Sequence, residues 1–140
     1  MTNQNDVFRN LSTEESLARL ATAQPGRIVL QRTGELDIFP VNFVVDSGSV
    51  YFRTAEGSKL FTITLNHEVL FQADGVDGGT AWSVVIRGTA KVLTDSAEIN
   101  HADTLPLRPW APNLKYNWVR VSAGEITGRE FEIGEEPERY

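Results

Sequence analysis

Residues 38–60, IFPVNFVVDSGSVYFRTAEGSKL, decide how the rest of the chain is read. The segment opens in a run rich in Val and Phe, the composition of a strand. Asp46-Ser47-Gly48-Ser49 is a hairpin turn into a second strand, VYFRT. Pro40 has no N–H to give a ladder, so it marks an edge, a bulge or a break in the first strand. Beyond Gly57 the period changes, and Leu60, Ile63 and Thr64 fall on one face of a helix. Between strand and helix stand Arg53, Thr54, Gly57, Ser58 and Lys59. A helix start exposes unpaired N–H groups and a partial positive charge, and a phosphate satisfies both. Arg53 offers a bidentate contact, Thr54 and Ser58 offer hydroxyls, Gly57 lets the backbone approach and Lys59 adds a point charge. A plainer reading stands beside this one: Ser58 caps the helix, and Arg53 and Lys59 are solvated. The lysine spacing does not match a P-loop.

Outward from this segment the pattern is mostly strand. On the N-terminal side, residues 12–23 (STEESLARLATA) read as a helix with capping-box spacing between Ser12 and Glu15 and an apolar face of Leu17, Leu20 and Ala21. Pro25-Gly26 ends it, and RIVLQRT (27–33) follows as a strand. On the C-terminal side, EVLFQAD (68–74) is a strand, GVDGG (75–79) a flexible turn and AWSVVIRGTAKVL (81–93) the strongest strand of the chain. Trp82, Val84, Ile86, Gly88, Ala90 and Val92 share one side of it, with Gly88 as a bulge or bend. SAEINHADTL (96–105) is a short helix, and PLRPWAP, with three prolines, is a loop. YNWVRVSA (116–123) and EITGREFEI (125–133) are the closing strands. Hairpin spacing without a strand–long helix–strand rhythm argues for a mainly β, antiparallel barrel with two or three short helices.

The chain's 140 residues fit a single domain over 1–140, with loose ends at 1–10 and 134–140. The absence of cysteine excludes disulfides, thiolate metal sites and a cysteine nucleophile. A net charge of −6 without a basic stripe argues against nucleic acid as a partner. No apolar run reaches the roughly 20 residues of a membrane span, and the first ten residues are not a secretion signal, so the expectation is a soluble cytoplasmic protein.

With its flanks, the 38–60 segment resembles the small FMN-binding split-barrel proteins of the pyridoxamine 5′-phosphate oxidase-like superfamily. The similarity continues through WSVVIRGTAKVLTD, the Pro-Trp near residue 110 and WVRVSAGEITGREF, from about residue 12 to residue 133. The resemblance implies a six-stranded antiparallel split barrel that forms a homodimer, with FMN in a cleft between subunits. It places the cofactor phosphate on Arg53, Thr54, Ser58 and Lys59. It puts the backbone of Val41, Asn42 and Phe43 beside the isoalloxazine ring, Trp82 and Ser83 near the ring or ribityl chain, and Trp110 as a cover from the partner subunit or a loop. The implied activity is that of a flavin-dependent oxidoreductase acting on a small molecule with an electron donor. Within the superfamily a deazaflavin-dependent reductase, for which Arg32, Arg87 and Arg120 are candidate extra cations, and a non-catalytic flavin- or haem-binding module are the alternatives. Two features of the vitamin oxidases themselves are missing. TGREFEI holds Arg129 but no Arg-x-His, and GELDIFPV has no basic residue.

The remaining polar residues carry less. His67 and His101 are the only histidines, too far apart in sequence to suggest a metal site; His67 is expected in a turn and His101 on the exposed face of a helix. Asp74 and Asp77 lack calcium-loop spacing. Asn42 is a bonded core residue or a cofactor contact, Trp110 a core plug or a ligand cover, and Trp118 a packed wall or a dimer face.

Overall fold

Ladder hydrogen bonds gather the strand-forming segments into one antiparallel sheet. The structure is a computed structural model, and it describes residues 7–107 and 117–138. In chain order the elements are β1 (Arg9–Leu11), α1 (Thr13–Leu20), β2 (Gly26–Arg32), β3 (Glu35–Val41), β4 (Val44–Asp46), β5 (Ser49–Thr54), α2 (Ser58–Leu65), β6 (Glu68–Asp77), β7 (Thr80–Val92), α3 (Ser96–Asp103) and β8 (Asn117–Glu132). The strand order is β3-β2-β6-β7-β8-β5-β4, with β1 added alongside β8. Among the described residues β3 and β4 do not pair with each other, so the sheet stays open and the fold is a split barrel.

Among the described residues eight strands form where the resemblance implied six. The arm expected to be loose supplies one of the additional strands. Arg9, Asn10 and Leu11 pair with Glu130, Arg129 and Gly128. Arg9 donates to both Glu15 and Glu130, and Arg19 Nη2 lies 2.8 Å from Glu130 Oε2, which ties β1, α1 and β8 together. The run 36–46 breaks at Asn42-Phe43 into β3 and β4. Pro40 lies in β3, an edge strand, where its missing N–H costs the sheet nothing. The expected turn at 75–79 is mostly strand: β6 continues to Asp77, and only Gly78 and Gly79, both at positive φ, make the turn. The two closing strands are one sixteen-residue strand, β8. Its break is reduced to a bulge, where Arg87 faces Glu125 and Gly88 faces Ala123, so that Gly124 is the extra residue.

The helices follow their caps. Ser12 accepts from the Glu15 N–H while the Glu15 carboxylate accepts from the Ser12 N–H, the reciprocal box the spacing predicts. The buried face of α1 is Ser16 and Leu20, however, and Ala21 is an exposed C-cap. Gly128 explains how α1 comes so near: a Cβ there would stand 2.2 Å from Ser16 Oγ. The main core fills the barrel with Ile28, Leu30, Phe43, Phe52, Phe71, Val84, Ile86, Val119 and Val121, all at 2% exposure or less. A second, smaller core of Tyr51, Leu93, Ala102 and Trp118 lies under α3, on the other face of β5 and β8. Among the described residues no helix is long and apolar enough to cross a membrane.

Candidate functional site

The turn between β5 and α2 is built by a change of register rather than by one polar cluster. Residues of β5 alternate between the two faces of the sheet. Phe52 and Thr54 therefore turn into the main core, whereas Tyr51 and Arg53 turn to the other face, where Tyr51 is buried under α3 and Arg53 is half-buried. Arg53 and Thr54, adjacent in sequence, leave the strand on opposite faces and can serve one ligand only at the strand's end. The Thr54 hydroxyl donates to the Ala55 carbonyl at 3.2 Å.

Gly57 is the N-cap of α2, at a φ of 153°, and the helix has no side-chain cap. Ser58 is thus the first helical residue and not the cap. The first intrahelical bond runs from the Phe61 N–H to the Gly57 carbonyl at 3.0 Å, so the N–H groups of Ser58, Lys59 and Leu60 precede the ladder. The Ser58 side chain is exposed, as is that of Glu56, the one acid of the turn. Two cations flank this helix start. Lys59 Nζ lies 5.2 Å from the centre of the Phe39 ring and 6.0 Å from that of Phe52. The Arg53 guanidinium lies 5.5 Å from the centre of the Trp118 ring on the other face of the sheet. N–H groups at the positive end of a helix dipole, a hydroxyl and two cations are the donor set of a phosphate.

The residues expected beside the rest of the cofactor lie on other elements, β3, the β3–β4 break and β7. Val41 closes β3 against Gly26 and is buried. Both backbone groups of Phe43 are taken by one side chain: its N–H donates to Gln24 Oε1 at 3.0 Å, and its carbonyl accepts from Gln24 Nε2. Asn42, half-buried between them, is the residue of this segment whose side chain stands at the β3–β4 break. Trp82 and Ser83 sit near the opposite end of β7. Val92 pairs with Val119, which in turn pairs with Phe52 beside the turn. From 82 to 92, strand rise of about 3.3 Å per residue gives roughly 30 Å along the chain path. Trp82 packs on Gly75, where a Cβ would stand 3.0 Å from the indole, and Ser83 Oγ accepts from Gln72 Nε2 at 3.3 Å. They border a hollow of about 370 Å³ with Phe8, Arg129 and Phe131, three residues that the sequence does not assign to the site. Phe8 meets Phe131 edge to face, with ring centres 5.1 Å apart. The pairing of β1 with β8 brings Phe8 there, and no local pattern signals it. Trp110 lies outside the described residues.

The α3 side of the sheet is ordered by charge. Glu98 accepts from both Arg120 and Lys91, which lower its pKa, and the bond to Glu98 raises that of Arg120. His101, exposed on α3 as expected, has Nε2 2.8 Å from Asp46 Oδ2. Arg120 is thereby committed to α3, while Arg87 stands on β7 opposite Leu70 and Glu125. Arg87 and Arg120 share the outer face of the sheet, since Arg120 pairs with Lys91, four residues along β7 from Arg87, whereas Arg32 closes β2 opposite Glu35.

The family described as pyridoxamine 5′-phosphate oxidase matches residues 12–130, the span that contains the turn, its two flanking strands and every helix. The chain belongs to that family. A crystal structure from Corynebacterium glutamicum, described as a candidate pyridoxamine 5′-phosphate oxidase, is 55% identical, with a TM-score of 0.87 over 97% of this chain and 99% of that one. The FAD binding protein from Mycobacterium smegmatis is 41% identical, with a TM-score of 0.77 over 89% of this chain and 98% of that one. An uncharacterised Mycobacterium tuberculosis protein, Rv3129, is 44% identical over 96 residues, which cover 69% of this chain and 87% of the relative. In this member of the pyridoxamine 5′-phosphate oxidase family, Arg53, Thr54, Ser58 and Lys59 all lie at the β5–α2 turn.

Proposed function

We propose that this chain is a flavin-dependent oxidoreductase that holds FMN by its phosphate at the start of α2. The observation that carries the reading is the glycine-capped helix start between Arg53 and Lys59, in a chain of this family. The N–H groups of Ser58, Lys59 and Leu60 and the Ser58 hydroxyl would bind the phosphate oxygens, and Arg53 and Lys59 would neutralise their charge. When bound, the flavin supplies the electron transfer, and the protein's part is position and electrostatics. The substrate is a small molecule other than the vitamin phosphate, since TGREFEI lacks the Arg-x-His pattern of the vitamin oxidases.

We further propose a homodimer. Trp82 and Ser83 stand far along β7 from the turn, so a second copy of the chain is the natural source of ring-side contacts.

FAD is the second reading, favoured by the M. smegmatis relative. FMN and FAD both offer phosphate oxygens to the turn, whereas riboflavin offers none. Parallel titrations with FMN, FAD, riboflavin and the deazaflavin cofactor test the proposal by absorbance and fluorescence. The expected result is that a phosphorylated flavin binds well ahead of riboflavin. Replacing both Arg53 and Lys59 by Ala should remove about 3–6 kcal/mol of that preference, at 1.5–3 kcal/mol per charge-assisted bond. Equal affinity for FMN and riboflavin would remove the phosphate site. Tight binding without turnover with any nicotinamide donor or oxygen would leave a flavin carrier in place of an enzyme.

A further inference from the structure

Trp118 has no place in the phosphate donor set, yet it touches the one guanidinium of that set. Trp118 and Arg53 are direct partners across the β5–β8 ladder, so their side chains leave the sheet on the same face. The Arg53 Cζ lies 5.5 Å from the indole centre. The indole itself is fixed from behind. Its Nε1–H donates to Asp103 Oδ1 at 2.8 Å, from the last residue of α3, and its ring is 4% exposed among Tyr51, Leu93 and Ala102. A carboxylate that accepts from the indole N–H polarises the ring and makes its face more attractive to a cation. The side chain of Asp103 is therefore coupled, through one hydrogen bond and one cation–π contact, to the end of β5.

We infer that Trp118, held by Asp103, is a positioning residue that keeps the Arg53 guanidinium aligned for a flavin phosphate. The inference rests on the proposed phosphate site and adds a specificity role for α3. A long, flexible side chain loses rotamer freedom when it grips a ligand, and a rigid aromatic platform reduces that loss in advance. The benefit goes to ligands that carry a phosphate and not to riboflavin.

The test compares FMN with riboflavin in the wild type and in Trp118→Leu, Trp118→Phe, Asp103→Ala, Arg53→Ala and the Arg53→Ala/Trp118→Leu double variant. Loss of a cation–π contact should weaken FMN by roughly 3- to 30-fold in Trp118→Leu, while riboflavin stays within about twofold. Trp118→Phe, which keeps a ring face, should recover part of the loss. Asp103→Ala, an exposed change, should weaken FMN in the same direction. In the Arg53→Ala background, Trp118→Leu should have no further effect on FMN. If Trp118→Leu does not fold, Asp103→Ala and Trp118→Phe carry the test. A loss of FMN preference in Arg53→Ala but not in the Trp118 and Asp103 variants, or equal losses for FMN and riboflavin, overturns the platform and leaves the phosphate site standing. No effect of Arg53→Ala overturns both.

Discussion

Gln24 satisfies both backbone groups of Phe43, a residue only 2% exposed at the break between β3 and β4. One side-chain amide replaces the ladder that β3 and β4 give up there. Gln24→Ala would leave a donor and an acceptor partly buried without partners, at a cost of about 1–3 kcal/mol. Urea denaturation of the variant checks this, and a midpoint unchanged from wild type would mean that water takes over the role. At this scale the sequence is a poor guide. The residues of the turn are legible because phosphate chemistry needs those residue types. Their directions are not: Arg53 and Thr54 part to opposite faces because a strand alternates. Gln24 and Phe43 are paired only by the path of the chain, and nothing in QPGRIVL announces the contact.

Elements are more legible than their ends. The capping box at Ser12 arises from local rules and is where the sequence puts it; the bulge expected at Gly88 falls beside it, with its extra residue, Gly124, on the partner strand β8. β1 is not legible, because a three-residue strand exists only by pairing with β8. Gly88, on β7, shows how tight the neighbouring β7–β8 pairing is. A Cβ there would stand 2.1 Å from the Ser122 carbonyl oxygen, against backbone that cannot move aside. Gly88→Ala should therefore destabilise by about 1–3 kcal/mol, read as a lower urea midpoint. The clasp that holds β1 is electrostatic and gives the fold a dependence on pH. The hydrogen bond from Arg9, then that from the Ser12 backbone, holds the Glu15 carboxyl down to about 2 from the ordinary 4.5. Bonds from Arg19 and then Arg9 lower Glu130. A carboxyl depressed in the folded state binds its proton more readily when unfolded. Its contribution is therefore complete above about pH 4.5 and is lost as the pH falls toward 2. Urea midpoints should decline over that window, and less steeply in Glu130→Gln. Because Arg9 and Glu15 are largely exposed, 1 M salt should shrink the difference between the two proteins. A wild-type curve that is flat between pH 4.5 and 2.5 would contradict the clasp.

At the scale of the whole molecule, the sheet has an outer face that the described residues do not cover. Leu36 and Ile38, on edge strand β3, are 70% and 62% exposed. Across the sheet from Ile38 stand Val29 and then Leu70, which help line a hollow of about 420 Å³ with Leu36, Glu68 and Arg87. A contiguous apolar surface of this kind, rimmed by charge, has the chemistry of an interaction surface. The class of fold was legible from the rhythm of hairpins. This surface was not, because Leu36 and Ile38 read as ordinary strand residues until the register turns them outward. If the proposed dimer uses this face, a charge at its centre must be desolvated without a partner, which costs far more than the lost apolar contact. Ile38→Glu should then shift the mass in light scattering from twice the 15.6 kDa chain to the chain alone. The secondary structure should survive, since Ile38 faces solvent within one chain. Flavin affinity should fall with the dimer, because the turn of one copy would lose the ring-side contacts of the other. A variant that stays dimeric and keeps its flavin would move the contact to another face. A monomeric wild type that binds FMN at full strength would mean that a single chain makes the whole site, with Trp82 and Ser83 outside it.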